Sequence, residues 1–277
     1  MIKSPPKVMT FSSTDPSGGA GLQADILTIA SLGCHPISIT TGFTVQDTVG
    51  VNKLVSVDSA IVNDQARFIL EDMEVSVFKL GLLGSKENIV TIAKIIADYP
   101  DIPLIIDPVL ASGRGDKFLD FDSISLMVEL LFPKALLVTP NTLEARRLVS
   151  YKKDLRKLSI DECVKHFKDM KCQNILITGT HEETDNVVNT LYSSTNKIIP
   201  YHWDRLPGSY HGSGCTLTSA ISAYYALGLS IGEAIEEAQY FTWQTLKSGF
   251  KPGKGQLIPN RFFAINDVED DEKNTRH

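Results

Sequence analysis

Apolar positions along the chain alternate between short, nearly continuous runs and stretches with a period near 3.6 residues, the signatures of buried strands and of amphipathic helices. Residues 8–12 read as a short buried strand, followed by the turn-rich run Thr14-Asp15-Pro16-Ser17-Gly18-Gly19. Leu22, Ile26, Ile29 and Leu32 then recur at helical spacing and stop at Gly33, which suits a C-cap. Residues 37–45 are β-rich, and residues 58–73 are helical with Asp58 as N-cap. Further strands are expected at residues 75–81, 104–107, 135–139 and 174–178, each separated by a helical stretch. Such alternation implies right-handed crossovers and a mostly parallel sheet covered on both faces. Residues 187–193 and 197–202 are separated only by a short turn and predict an antiparallel hairpin at one edge. Helices at residues 215–227 and 231–246 close the body. No internal repeat or linker-like shift interrupts the chain, so one α/β domain is expected over residues 1–265. The polar, acidic tail 266–277 has little to bury and is expected to be disordered.

The chain has 277 residues, 43% apolar and 22% charged, which excludes wholesale disorder and collagen-like architectures. Its net charge of −6 argues against nonspecific nucleic-acid binding and gives no support for an anionic membrane partner. A local phosphate site needs only backbone amides and a few cations, so it stays compatible with that charge. Apolar runs such as Leu104-Ile105-Ile106 are too short to span a bilayer, and no long apolar segment accompanies Lys3 and Lys7 as a signal peptide would require. The four cysteines form no CxxC pair, and the spacing of Cys163, His166 and Cys172 matches no zinc pattern. A reducing, cytoplasmic setting is the expectation.

Two glycine-rich loops carry candidate chemistry. Gly19-Ala20-Gly21-Leu22-Gln23-Ala24 follows a strand and opens a helix, which is G-x-G-x-x-A on paper. A dinucleotide site also wants an acid at the end of the second strand. Here that strand ends Phe43-Thr44-Val45-Gln46, with Asp47 displaced into the loop. A tight turn needing small residues therefore ranks above the nucleotide reading, and a flat ring lying against the backbone fits better still. Gly212-Ser213-Gly214-Cys215-Thr216 precedes an apolar helix, and free amides there form an anion hole. Cys215 in the first turn feels the same positive end, which should lower its pKa and favour thiolate. Cys34, Cys163 and Cys172 have no such setting and read as packing residues.

Strand ends add oxygen ligands. Asp107-Pro108-Val109 ends an apolar strand and is followed by a flap-like stretch, residues 111–117. Asn141 and Glu144 sit three apart in a first helical turn, where they suit either Mg²⁺ or an N-cap with a capping-box glutamate. Three ligand-like strand ends in one sheet tip the choice to the metal.

Taken in order, the segments Thr14–Asp25, Thr44-Val45-Gln46-Asp47-Thr48, Asp107-Pro108-Val109, Thr139-Pro140-Asn141-Thr142-Leu143-Glu144 and His211–Thr216 resemble the hydroxymethylpyrimidine/phosphomethylpyrimidine kinases of thiamine biosynthesis. The likeness runs from about residue 8 to residue 263. It implies a three-layer αβα ribokinase-like fold and two phosphoryl transfers from ATP with Mg²⁺, onto 4-amino-5-hydroxymethyl-2-methylpyrimidine and onto its monophosphate. It also implies a homodimer. In that family the pyrimidine lies against the first glycine loop and bonds a glutamine, here Gln46. Asp15, Ala20, Leu82 and Val109 fall where the pocket is lined, and Cys215 falls where sugar kinases carry an aspartate. The resemblance gives Asp107, Asn141 and Glu144 to the metal and its waters, and the amides of Gly212, Ser213 and Gly214 to the transferring group.

Several positions depart from the family. Ser13 stands for glycine, Gly42 for alanine and Leu82 for methionine. Thr178-Gly179-Thr180-His181 stands for Lys-Gly-Gly-His, leaving Thr178 and His181 to face the ATP phosphates without that lysine. Lys254 replaces a histidine and is the candidate to restore positive charge. The competing readings are a pyridoxal kinase of the same fold, a thiol hydrolase using Cys215 with His211, and a pyrimidine sensor without catalysis.

Overall fold

A computed structural model describes residues 4–111, 118–150, 158–182 and 184–264. Its strands are β1 (Lys7–Thr14), β2 (His35–Gln46), β3 (Val51–Ser56), β4 (Val77–Leu80), β5 (Leu104–Ile106), β6 (Leu137–Val138), β7 (Asn174–Ile177), β8 (Asn186–Tyr192) and β9 (Ile198–Asp204). They form one sheet in the order β3-β2-β1-β4-β5-β6-β7-β8-β9. From β2 through β7 every pairing is parallel. β8 and β9 add the expected antiparallel hairpin at one edge. The opposite edge is antiparallel too, because β3 folds back on β2. β3 has no buried residue, so it lacks the alternation that marks a strand in the sequence.

The helices are α1 (Gly21–Ser31), α2 (Ser59–Asp72), α3 (Lys86–Asp98), α4 (Phe121–Leu130), α5 (Thr142–Val149), α6 (Ile160–Asp169), α7 (Ser213–Ala226) and α8 (Ile231–Lys247). Successive residues in each strand face opposite sides. Val8, Val77, Ile105, Leu137 and Leu176 pack with Ile29, Ile221 and Ile235 of α1, α7 and α8. Met9, Phe78, Leu104, Ile106, Val138 and Ile175 pack with α2 to α6 through residues such as Val62, Ile92, Met127, Leu148 and Phe167. Burial on both faces explains why the parallel strands read as unbroken apolar runs. The chain is therefore a three-layer αβα structure. No helix among the described residues is long and apolar enough to cross a membrane.

Local chemistry sets the helix ends. Asp58 caps α2 by accepting from the Ala60 amide. α1 ends at Leu32, and Gly33 follows with φ +81°, so glycine occupies the position just past the cap. α7 begins at Ser213, two residues earlier than the apolar pattern suggests. Of the flap-like stretch 111–117 only Ala111 lies within the described residues, and the tail 266–277 lies outside them.

Asn88, in the first turn of α3, is fully buried. Its amide donates to the carbonyls of Thr41, Val57 and Leu83 at 3.0, 3.3 and 3.1 Å, tying three segments beside the carboxyl end of β4. Asn88→Ala should cost about 2–3 kcal/mol, since it leaves a cavity and three carbonyls short of a donor. Urea unfolding should show a lowered midpoint with an unchanged m-value.

Candidate active site

β1 lies between β2 and β4, and chain progression reverses direction across it. Open α/β sheets bind ligands in the crevice at such a switch point, beyond the carboxyl ends of the strands. A cavity of about 530 Å³ opens there. It brings together Asp15, Ala20, Gln46, Leu82, Val109, Asp107, Asn141, Glu144, Thr178, His181 and the run Gly212–Cys215. Lys254 is the exception. Its turn is pinned to Thr48, whose Oγ1 accepts from Gly255 N at 3.0 Å and whose carbonyl accepts from Gln256 N at 2.9 Å. Lys254 itself is exposed and outside the cavity lining, so the structure corrects its assignment to the phosphates.

The loop after β1 is organised by Asp15. Its carboxylate accepts from Ser17 N and Ser17 Oγ at 2.8 Å and from Ala20 N at 2.7 Å. It also meets His211 Nε2 at 2.8 Å. Burial raises the Asp15 pKa, but the bonds from His211, Ser17 and Ala20 outweigh it and hold the carboxyl at about 2. An orienting acid for His211 therefore exists, which the sequence did not reveal. It joins His211 to the first glycine loop.

Arg261 completes this junction. It is 3% exposed, and its guanidinium donates to the carbonyls of Gly18 and Gly19 and to Thr216 Oγ1. Gly212 sits against Gly19 O with φ +86°, so any side chain there would both clash and be strained. The two glycine loops are thus one packed unit.

Two departures from the family resolve each other. A Cβ at Gly42 would lie 2.7 Å from Ser13 Oγ. Ser13 Oγ donates to Leu82 O at 3.0 Å beside a break in the β1–β2 register, where Thr41 of β2 has no partner in β1. The serine therefore fills space that alanine at 42 would need, and the pocket wall stays closed.

The amides of Ser213, Gly214 and Cys215 open α7, which has no side-chain cap. Amides of a first turn have no partner within their own helix, so they are free for an anion. Cys215 lies among Gly21, Asp107, Lys79 and Asp25. Burial and then the Asp107 charge push its thiol far above the usual range, which corrects the expected thiolate. The Asp107 carboxyl takes a side-chain hydrogen bond from Cys215, and its own pKa is raised by burial.

Asn141 and Glu144 form the capping box. Asn141 Oδ1 accepts from the amides of Leu143 and Glu144 at 3.0 and 2.9 Å, and Glu144 Oε2 accepts from Asn141 N at 3.0 Å. The side-chain oxygen of Asn141 is thus engaged in the cap in this structure. Burial and the neighbouring Asp107 charge push Glu144 up to about 8. Asp107 Oδ2 is buried with no hydrogen-bond partner. An orphaned carboxylate oxygen beside a second carboxylate suits a divalent cation held by one or two carboxylates and by substrate phosphates. Among the described residues, no three His, Cys, Asp or Glu groups converge as a complete cage.

The far end of the cavity runs past Thr178, Thr180 and His181 to Trp203, Gln239 and Trp243. Arg205 lines it, but its guanidinium is committed to the carbonyls of Thr184, Thr180 and Glu182 at 2.8, 3.1 and 2.7 Å. Gln239 Oε1 accepts from Asn189 Nδ2 and Trp203 Nε1.

A family model for phosphomethylpyrimidine kinase matches residues 15–260. The chain belongs to the phosphomethylpyrimidine kinase family. As a member of that family it is a phosphotransferase. It is 34% identical over 263 residues to the thiamine biosynthesis bifunctional protein ThiED of Geobacter sulfurreducens, covering 95% of this chain and 54% of that protein. It is 33% identical over 269 residues to the hydroxymethylpyrimidine/phosphomethylpyrimidine kinase of Mycobacterium tuberculosis, covering 94% of this chain and 95% of the other. Among solved structures it resembles the pyridoxal kinase from Staphylococcus aureus in complex with AMP-PCP and pyridoxal, with a TM-score of 0.82 and 26% identity over 96% of each chain.

His211 was singled out in the sequence, but its pairing with Asp15 was not. Around the kinase site stand two further residues that the sequence did not single out. Arg261 has no local pattern, and Lys79 stands out only as a lysine inside an apolar strand. The stability contributed by Asp15 is present above its unfolded pKa of 3.8 and is lost as pH falls through about 2. Asp15→Asn should remove about 2 kcal/mol of that acid dependence. Acid titration of unfolding free energy between pH 4.5 and 2, for both proteins, measures it.

Proposed function

We propose that this chain transfers the terminal phosphoryl group of ATP to the hydroxymethyl group of 4-amino-5-hydroxymethyl-2-methylpyrimidine, and a second one to the resulting monophosphate. The reading is carried by the uncapped start of α7, where Cys215 and three free amides face the cavity that also holds Gln46, Leu82 and Val109. Gln46 supplies an amide donor and acceptor suited to an aminopyrimidine edge. Leu82 and Val109 give the ring apolar walls.

The acceptor oxygen forms a bond to the γ-phosphorus while the bond from that phosphorus to the β-bridging oxygen breaks, and its electron pair leaves with ADP. Little covalent work falls to the protein, which positions the groups and stabilises charge. The amides of Ser213, Gly214 and Cys215 hold the transferring group. Cys215, a neutral thiol at rest, orients the acceptor hydroxyl while Asp107 holds its S–H. The hydroxyl proton passes to this hydrogen-bonded pair. Asp107 and Glu144 would hold Mg²⁺, which when bound neutralises phosphate charge. The outward-facing Phe43, Val45 and Val55 of the β2–β3 flank support a homodimer.

A pyridoxal kinase activity is the second reading, favoured by the likeness to the S. aureus enzyme. Mass analysis after incubation of the pyrimidine alcohol or pyridoxal with Mg-ATP decides between them. Monophosphate followed by diphosphate of the pyrimidine is expected, with EDTA abolishing both. Phosphorylation of pyridoxal alone would establish the second reading, and no ATP turnover with either acceptor would leave a sensor. Cys215→Ala should lower kcat by about 100-fold, the scale of a lost proton-handling group. Lys254→Ala should leave kcat and both KM values within about twofold, because its side chain is outside the cavity.

A further inference from the structure

Glycine-rich loops let a backbone approach a ligand closely, but they hold their own shape poorly. Both loops at this site use such positions, with Gly18 at φ +75° and Gly212 at φ +86°. Beyond the His211–Asp15 bond, one side chain reaches both loops. Arg261 lies in the segment that returns after α8, and that segment is anchored on α8 on either side of it. Asn260 N donates to Thr245 O at 2.9 Å, and the rings of Phe263 and Phe241 pack with centroids 5.6 Å apart. From this anchor Nη1 donates to Gly18 O at 3.3 Å and Nη2 to Gly19 O at 2.6 Å. Nε and Nη2 donate to Thr216 Oγ1 at 3.1 and 3.0 Å. Thr216 Oγ1 gives its own proton to Gly212 O at 2.8 Å, so its donor and both lone pairs are used.

Stability alone is a poor reason for this arrangement. A buried cation is normally paired with a carboxylate, because desolvating it is costly. All four bonds from the buried Arg261 go to neutral oxygens. The acids on either side of the first glycine loop, Asp15 and Asp25, are engaged instead by His211 and by the fully buried Lys79, at 2.8 Å each. Thr216 also closes the first turn of α7, the positive end of the helix dipole, where a cation meets repulsion. What the guanidinium offers there is a planar fork of fixed spacing, which a flexible ammonium lacks.

We propose that Arg261 is a positioning residue for phosphoryl transfer: its guanidinium, forked between Gly18, Gly19 and Thr216, holds the loop that carries Asp15 and Ala20 in register with the amides that open α7. Acceptor and transferring group then meet at a set separation, and misplacement by about 1 Å costs roughly 100-fold in rate. This rests on the kinase reading above and holds for either acceptor.

Arg261→Lys keeps the charge and removes the fork. Thr216→Val keeps the guanidinium but removes the oxygen it shares with the helix, and Thr216→Ser restores that oxygen. Wild-type turnover of the pyrimidine alcohol and of pyridoxal with Mg-ATP is measured first. Then kcat, KM and the separate Kd values for ADP and for the acceptor are compared at a temperature where the variants are folded. Arg261→Lys is expected to lose roughly 30-fold or more in kcat and Thr216→Val about tenfold, with both Kd values within about threefold of the wild type. Thr216→Ser is expected to keep kcat within about threefold. A folded Arg261→Lys enzyme with wild-type kcat overturns the proposal, because charge without the fork then suffices. A loss that appears equally in the ADP Kd overturns it in favour of a role in phosphate affinity. If Arg261→Lys does not fold, Thr216→Val decides. Wild-type kcat in that variant, its failure to fold, or a Thr216→Ser enzyme as impaired as it is leaves Arg261 a structural pin and overturns the proposal. Activity of the wild type on pyridoxal alone overturns the acceptor reading and moves the same comparison to pyridoxal. Inactivity on both overturns the kinase reading and this proposal together, whereas an active wild type with unimpaired variants overturns this proposal alone.

Discussion

A parallel sheet buried on both faces must satisfy its backbone within the sheet and fill both sides with apolar residues, so polar chemistry is driven to the ends of its strands. At the carboxyl edge the loops are free to carry acids, amides and small residues. That constraint places Asp15, Leu82, Asp107, Asn141 and Thr178 in one rim, after β1, β4, β5, β6 and β7 in turn. The sheet supplies the spacing, and α7 supplies the missing component by ending the crossover geometry with unpaired amides aimed at the same crevice. Without burial on both faces, neither the rim nor the aim of α7 would be defined.

Within the rim the decisive quantity is desolvation. Cys215 sits where a helix dipole favours thiolate, yet burial and Asp107 keep it a thiol. The same two effects push Glu144 toward its neutral form, and burial pushes Asp107 the same way against the pull of Lys79. Such a floor is short of positive charge, because Arg205 is committed to three carbonyls and Lys254 is outside. The free amides at the start of α7 are the means that the described residues offer to balance phosphate. The net charge of −6 is therefore a poor guide to this site: amides carry no formal charge, and a fully buried lysine counts the same as an exposed one.

Legibility in the sequence followed the kind of interaction. The parallel strands were readable because burial on both faces writes them as continuous apolar runs, and Asp58 was readable because a cap acts on residues two or three along the chain. β3 was missed because an edge strand with no buried residue carries no periodic signal. Most of the cavity residues were readable from loop motifs after strands. His211 with Asp15, separated by 196 positions, and Arg261 with Gly18 and Gly19, separated by more than 240, were not. Asn141 and Glu144 illustrate the reverse case. Their spacing was compatible with both a cap and a metal pair, and coordinates were needed to find the cap formed.

By itself, the sequence determined the alternation of elements, the doubly covered sheet and the family, because all of these depend on local periodicity and on short contiguous motifs. Tertiary structure decided the protonation of Cys215, the compensation of Ser13 by Gly42, the exclusion of Lys254 from the cavity and the reach of Arg261 to both glycine loops. Each of those depends on how much water a group keeps and on which distant group replaces it. Solvation and long-range contact arise only when the layers close, and no local stretch of the chain encodes them.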